Sequence, residues 1–240
     1  MSVLFQDRKS AGEELTDKIK IYLQQSENID FNELAITKIK DSLLILVIPR
    51  GGIILGDIIA SNFHCNIDIV VSRKLGAPSN KELAIGAVMP DGIYFINEHT
   101  VRMLDISKSY IQNEVEVQKK EIERRLKEFR GSTEYDDILK EKIVILVDDG
   151  IATGATILAA ARWIKERKNE CKKLIVAVPV APAKSETVTM LNQIADKVII
   201  LYMPEEFYAV GQFYKKFDQI SDNEVKTILD KYSKLWTTWN

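Results

Sequence analysis

Five short stretches of the chain are apolar almost without interruption: LLILVI (43–48), IDIVV (67–71), IVILV (143–147), LIVAVPV (174–180) and KVIILYM (197–203). They are rich in Val and Ile and mostly lack alternation of apolar and polar positions. Strands buried on both faces read this way. Between them, apolar residues recur at helical spacing over Ile53–Asn62, Thr156–Arg167 and Lys184–Ile194. Strand and helix in alternation predict an α/β fold, a doubly wound and mostly parallel five-stranded sheet.

Three segments exceed a minimal version of that sheet. Residues 1–35 read as one amphipathic helix and a connector. Residues 75–142 form an insert: Asp91-Gly92 between two extended pieces reads as a hairpin turn, and a long helix is expected over Ile106–Phe129. That helix has Ile111, Val115, Ile122, Leu126 and Phe129 along one stripe and ion-pair partners such as Glu116–Lys120 on the other. Its exit, RGSTEYDD (130–137), is the most loop-like stretch. The third segment is a C-terminal extension over 204–240, with a helix expected at Asp222–Tyr232. No linker separates independent units, so one domain over 1–240 is expected.

Composition narrows the picture little. The 240 residues are 46% hydrophobic and 28% charged, with a net charge of −2. This gives no electrostatic footprint for nucleic acid or an anionic membrane. The longest apolar run falls far short of the ~20 residues of a membrane helix, and MSVLFQDRKS has no apolar signal core. A cytoplasmic protein is expected, with Cys65 and Cys171 as reduced thiols. His64, His99 and Trp163 are expected in solvated or packing roles. Trp236 and Trp239 are candidates for contact with a second copy, which makes a homodimer one expected assembly.

The chemistry gathers in VILVDDGIATGAT (144–156). Asp148 and Asp149 stand side by side at the end of an apolar strand, and the next cation along the chain is Arg162. Like charges beside a buried strand end repel and are costly to desolvate. Something outside the stretch must compensate them. After the acids comes a turn of small residues, then a good helix from Thr156. Strand, tight turn and helix start make an anion site, since free amides and the helix dipole both favour negative charge. Thr153 and Thr156 add hydroxyl donors. An anion held a few ångströms from two acids suits a sugar phosphate: its phosphate takes the amides and its hydroxyls donate to the carboxylates. An acid pair turned from the turn, or bridged to the protein's own cations, would contradict this. Gly51 to Gly56 has P-loop spacing, but Asp57 stands where Lys is needed.

Four apolar residues, two acids and a turn ending Thr-Gly-x-Thr resemble the motif of type I phosphoribosyltransferases, which use 5-phosphoribosyl 1-diphosphate (PRPP). The resemblance implies that Asp148 and Asp149 hold the ribose hydroxyls, and that Ala152, Thr153, Gly154, Ala155 and Thr156 hold the 5-phosphate. It implies that IPRGG (48–52), through Arg50, Gly51 and Gly52, holds the diphosphate, joined by Arg73 and Lys74 of SRKL (72–75). Arg50, Arg73 and Lys74 would neutralise the leaving group beside Asp148 and Asp149. It also implies Mg2+ as cofactor, reached by Asp148 and Asp149 indirectly through PRPP and water. The insert and the extension would form a hood over the acceptor, with Phe207 and Tyr208 as candidates for stacking on a base. GST (131–133) is the candidate tip of a lid. The reaction implied is transfer of the phosphoribosyl group to a nitrogen nucleophile, expected to be a nucleobase, with release of diphosphate. Enzymes for 6-oxopurines carry Asp where this chain has Ala152, which weakens that class of acceptor. A PRPP-sensing regulator without turnover is the alternative, though no helix-turn-helix pattern or basic excess accompanies it.

Overall fold

The computed structural model describes residues 3–31, 36–135, 138–166 and 171–237. In chain order the elements are α1 (Arg8–Glu27), α2 (Ile36–Ser42), β1 (Leu43–Val47), α3 (Gly52–Phe63), β2 (Asn66–Ile69), β3 (Arg73–Gly76), β4 (Ala84–Val88) and β5 (Tyr94–Ile96). They continue with α4 (Glu98–Met103), α5 (Lys108–Arg130), β6 (Lys142–Val147), α6 (Ala155–Glu166), β7 (Cys171–Val180), α7 (Glu186–Ile194), β8 (Lys197–Tyr202), a 3-10 turn (Val210–Phe213) and α8 (Asp222–Thr237).

The five apolar runs build one sheet in the order β2-β1-β6-β7-β8, with every neighbouring pair parallel. Every residue of β1 is buried, as are Ile143–Val147 of β6. Burial on both faces is why these runs lack alternation. From β1 the chain winds outward to β2, and from β6 it winds the other way to β7 and β8. Right-handed crossovers running in opposite directions put α3 on one face and α6 and α7 on the other. α1 packs on α3. The winding therefore reverses between β1 and β6, and their carboxyl ends share one crevice. A further bond from the Ile48 amide to the Val147 carbonyl (3.0 Å) carries the ladder into the loops.

The insert differs in detail from its sequence pattern. β2 stops at Ile69, and the Val70 amide adds one last bond to the Val47 carbonyl (2.8 Å). SRKL does not close that run: Arg73–Gly76 opens a second, antiparallel sheet of order β3-β4-β5. The hairpin falls at Asp91-Gly92 as expected, with Gly92 at φ +84° and the Asp91 carboxylate accepting from the Ile93 amide and the Trp163 indole. That last bond ties the hairpin to α6 and leaves Trp163 fully buried. The long helix begins at Lys108 under a Ser107 cap, because Asp105 at φ +48° breaks the chain from α4. It ends with Gly131 at φ +73°.

The GST stretch follows directly on Arg130 at the end of α5. Arg130 pairs with Asp68 (2.7 Å) and donates to the carbonyls of Ser132 and Glu134, and Tyr135 donates to the Ile69 carbonyl. Gly131 and Ser132 line a cavity of about 680 Å³ with Leu44, Asn66 and Lys142. Those residues sit at the amino ends of the strands, opposite the crevice. The ion pair ties the start of the loop to the β2 edge, while Gly131 and Ser132 sit by the amino ends. The predicted helix end at Arg167, the loop residues Asp136 and Asp137, Trp239 and the side chain of Trp236 lie outside the described residues.

The two termini meet. The amides of Leu4 and Phe5 donate to the Phe213 carbonyl, and the amides of Lys215 and Lys216 donate to the carbonyls of Phe5 and Gln6, all at 2.9 Å. Phe5, Val180, Phe213 and Tyr214 close a small apolar cluster beneath this seam. No helix among the described residues is long and apolar enough to cross a membrane. Neither cysteine is in a disulfide, and burial pushes the Cys65 thiol up to about 12.

The packing of α3 on the sheet gives a first prediction. A Cβ on Gly56 would lie 2.3 Å from Val47 Cγ1 and 2.9 Å from Ile67 Cδ1. Gly56→Ala should therefore cost about 1–3 kcal/mol through overpacking. A lowered urea midpoint with an unchanged slope in equilibrium unfolding is the expected result.

Candidate functional site

The acids and the glycine loop are in direct contact. A Cβ on Gly51 would fall 1.9 Å from Asp149 Oδ2, and one on Gly52 would fall 2.9 Å from the Val147 carbonyl and 3.2 Å from Asp148 Cα. Only glycine lets the 48–52 loop lie this close. The Pro49–Arg50 peptide is cis. Both loops thus stand at the reversal point that the strand order sets up.

The two carboxylates have different surroundings. Asp148 Oδ1 accepts the Asp149 amide at 2.9 Å. Asp149 Oδ2 accepts Arg8 Nε at 2.8 Å, and the Asp149 carbonyl accepts the Tyr214 hydroxyl at 2.6 Å. Asp148 Oδ2 and Asp149 Oδ1 take no hydrogen bond among the described residues, and neither is a fully enclosed atom. Burial pushes the Asp148 carboxyl well above the usual carboxylate range, and the Asp149 charge adds to that rise. Burial raises Asp149 as well, against the pull of Arg8. Tyr214 is raised by burial and by the Asp149 charge.

Arg8 meets in part the condition set against the site, since Asp149 is bridged to one of the protein's own cations while Asp148 has no ion pair among the described residues. Arg8 opens α1 right after its Asp7 cap. A cation in the first turn of a helix opposes the dipole. Lys9 shares that position, so the sequence alone does not single out Arg8.

After the acids, the Ile151 amide is held by the Val180 carbonyl at 2.8 Å. Gly154 turns the chain at φ +73°, where a Cβ would strike Thr187 Cγ2 at 2.3 Å. The first bond of the α6 ladder here runs from the Leu158 amide to the Gly154 carbonyl (3.0 Å). The amides of Ala155, Thr156 and Ile157 precede it and have no partner four residues back. Ala152 and Thr153 are exposed. The turn after the acids thus ends in a helix start with three amides outside the ladder.

The remaining residues are less closely gathered. Arg50 leaves the loop half-exposed and pairs with Asp222 at 3.2 Å. Arg73 donates to Gln118 at 2.9 Å, and Lys74 pairs with Glu82 at 2.6 Å on the second sheet. Neither makes a hydrogen bond or ion pair to 50–52 or 148–156 among the described residues. Phe207 is packed on Phe213, with ring centroids 5.0 Å apart, and Tyr208 is 78% exposed. The extension's rings near the acids are instead Tyr214 and Phe217. Val210 of the extension also reaches the turn, since a Cβ on Gly150 would lie 2.7 Å from Val210 Cγ1.

Among the described residues no cluster of three or more His, Cys, Asp or Glu is arranged around a metal. The donor set at the turn is two carboxylates, one of them paired. That set fits Mg2+ carried by a phosphate ligand and reached through water, since this ion keeps several waters and takes few protein ligands.

The family profile described as "Phosphoribosyl transferase domain" matches residues 18–200, well over half of the chain. The chain belongs to the phosphoribosyl transferase family. It is 34% identical over 228 residues to a protein of Mycobacterium tuberculosis (strain CDC 1551 / Oshkosh) whose name, phosphoribosyl transferase MT0597, is provisional. A provisionally named counterpart in strain ATCC 25618 / H37Rv, Rv0571c, matches to the same degree. The alignment takes in 95% of this chain and 47% of each relative, so the chain spans about half the length of these curated relatives. The crystal structure of TT1426 from Thermus thermophilus superposes with a TM-score of 0.72 at 30% identity, covering 95% of this chain and 99% of that one. The family match takes in both loops of the crevice, but Arg8, Tyr214 and Phe217 lie outside its span.

The electrostatics give a second prediction. Asp148 binds its proton more tightly folded than unfolded, so between the two pKa values the native state holds more protons and stability falls as pH rises. Asp148→Asn removes this burden. The variant should melt higher than the parent at neutral pH without ligand, and the gain should shrink as pH falls toward ~4, which scanning calorimetry across that range would measure.

Proposed function

We propose that the chain is an enzyme that transfers the 5-phosphoribosyl group of PRPP to a nitrogen nucleophile, with release of diphosphate. The observation that carries the reading is a pair of carboxylate oxygens without hydrogen bonds among the described residues, Asp148 Oδ2 and Asp149 Oδ1, a few residues ahead of the ladder-free amides of Ala155, Thr156 and Ile157. One ligand with vicinal hydroxyls and a phosphate satisfies both halves. Membership of the family supports the same reading.

In this reading the carboxylates accept the ribose hydroxyls. The turn 152–156, with the hydroxyls of Thr153 and Thr156, takes the 5-phosphate. The Gly51-Gly52 backbone and Arg50 face the diphosphate once Arg50 leaves Asp222. The bond from the anomeric carbon to the diphosphate oxygen breaks with its electron pair going to the diphosphate, and a bond to the acceptor nitrogen forms. The ring gains positive charge as the first bond lengthens, and the acid pair favours that charge electrostatically. When bound, Mg2+ supplies charge neutralisation at the diphosphate, with Asp148 and Asp149 reaching it through water. The acceptor class proposed is a nucleobase, bound under a hood from the insert and the extension. Ala152 has no group to exchange a proton with an oxopurine. The chain would act in nucleotide metabolism, as one domain over 1–240.

A PRPP sensor without turnover is the second reading. It is favoured by Arg73 and Lys74, whose cations are engaged by Gln118 and Glu82 rather than held toward a leaving group.

Charge-assisted hydrogen bonds contribute about 1.5–3 kcal/mol each. Replacing both acids, Asp148→Asn with Asp149→Asn, should thus weaken PRPP binding by about 100-fold or more by calorimetry. Affinity equal to the parent's would count against the site. Incubation with PRPP, Mg2+ and a panel of bases should release diphosphate only with one acceptor. Tight binding with no release for any base favours the sensor.

A further inference from the structure

We infer that Arg8 is a positioning residue for the carboxylate of Asp149, and that the seam between the two termini is thereby part of the PRPP site. The inference deepens the proposed function and rests on it.

Arg8 is held from three sides. Its Nε donates to Asp149 Oδ2 at 2.8 Å, its Nη1 donates to the Asp218 carbonyl at 2.7 Å, and its guanidinium lies 3.7 Å from the centre of the Phe217 ring. The side chains of Arg8 and Asp149 are only 10% and 14% exposed. A pair this buried loses most of its Coulombic gain to desolvation, and well-packed apolar residues often serve stability as well or better. Stability alone is therefore a weak account of it. Geometry supplies a stronger one. Nε occupies Oδ2, and the Tyr214 hydroxyl fixes the Asp149 carbonyl at 2.6 Å. Together they leave Oδ1 as the carboxylate oxygen of Asp149 without a hydrogen bond among the described residues, as Oδ2 is for Asp148.

Charge makes the same point. Two adjacent carboxylates that must both accept from one diol repel each other at close range. Arg8 offsets one of them without covering the oxygens that the diol would meet. The arginine fork also suits the place better than a lysine would, because it bonds the carboxylate and the Asp218 carbonyl together while stacking on a ring. Backbone bonds from Leu4, Phe5, Lys215 and Lys216 fix the strand that delivers it. Asp149 is thus oriented by residues 141 and 65 positions away in sequence.

Calorimetry of PRPP binding in the presence of Mg2+ tests this on the full chain with Arg8→Gln, Arg8→Lys and Tyr202→Phe. The last loosens α1 by removing the Tyr202–Glu14 bond without touching Arg8. Arg8→Gln should weaken binding about 10-fold or more, Arg8→Lys should recover part of the loss, and Tyr202→Phe should stay within about two-fold of the parent. In an Asp149→Asn background, Arg8→Gln should cost nothing further, because both changes break one interaction. Arg8→Lys keeps charge and bulk, so it carries the test if Arg8→Gln fails to fold. It should then bind measurably more weakly than the parent. Parental affinity in a folded Arg8 variant, or full additivity with Asp149→Asn, overturns the inference while leaving the proposed function standing. A parent chain that does not bind PRPP overturns both.

Discussion

Two carboxylates forced together at the end of a buried strand are the constraint around which the crevice is arranged. Desolvation and mutual repulsion both disfavour their charges. The chain offsets that cost in two ways. The Asp149 amide turns back onto Asp148, and Arg8 takes one oxygen of Asp149, while the Tyr214 hydroxyl holds the Asp149 backbone. The remaining two carboxylate oxygens are the chemically open part of the pair. A pair of buried acids that costs stability in this way follows the usual exchange of stability for function.

Topology does the rest. Because the winding reverses between β1 and β6, the glycine loop and the acid turn meet at one end of the sheet. The contact is close enough that neither Gly51 nor Gly52 tolerates a side chain without a shift in its neighbours. The core strands are rigid by burial, so the positions of the two loops follow from the register of β1 on β6. The termini add what the sheet cannot supply: a cation and a phenol on the far side of the acids. The loop that the sequence suggested as a lid runs along the β2 edge, tied by the Arg130–Asp68 pair, with Gly131 and Ser132 near the amino ends of the strands.

The sheet and its order of elements were legible because strands buried on both faces leave continuous apolar runs. The acid turn was legible because strand, small-residue turn and helix start are contiguous. The Asp91-Gly92 hairpin was legible from its turn chemistry. Arg8 was not, because its partner lies 141 residues away and no periodicity records such a pairing. β3 was hidden because it opens with Arg73 and Lys74, polar and partly exposed, only three residues after β2. The cap at Ser107 was obscured because the apolar stripe runs on through Ile106. Aromatic composition marked the extension as relevant through Phe207 and Tyr208, while Tyr214 and Phe217, which contact Asp149 and Arg8, were not singled out.

The account stands or falls on where the ribose sits. A crystal structure of the chain with PRPP and Mg2+ should place the ribose hydroxyls about 2.5–3.0 Å from Asp148 Oδ2 and Asp149 Oδ1, with Arg8 still on Asp149 Oδ2 and the 5-phosphate on the amides that open α6. A ribose bound elsewhere, with both acids facing only protein groups, would contradict it.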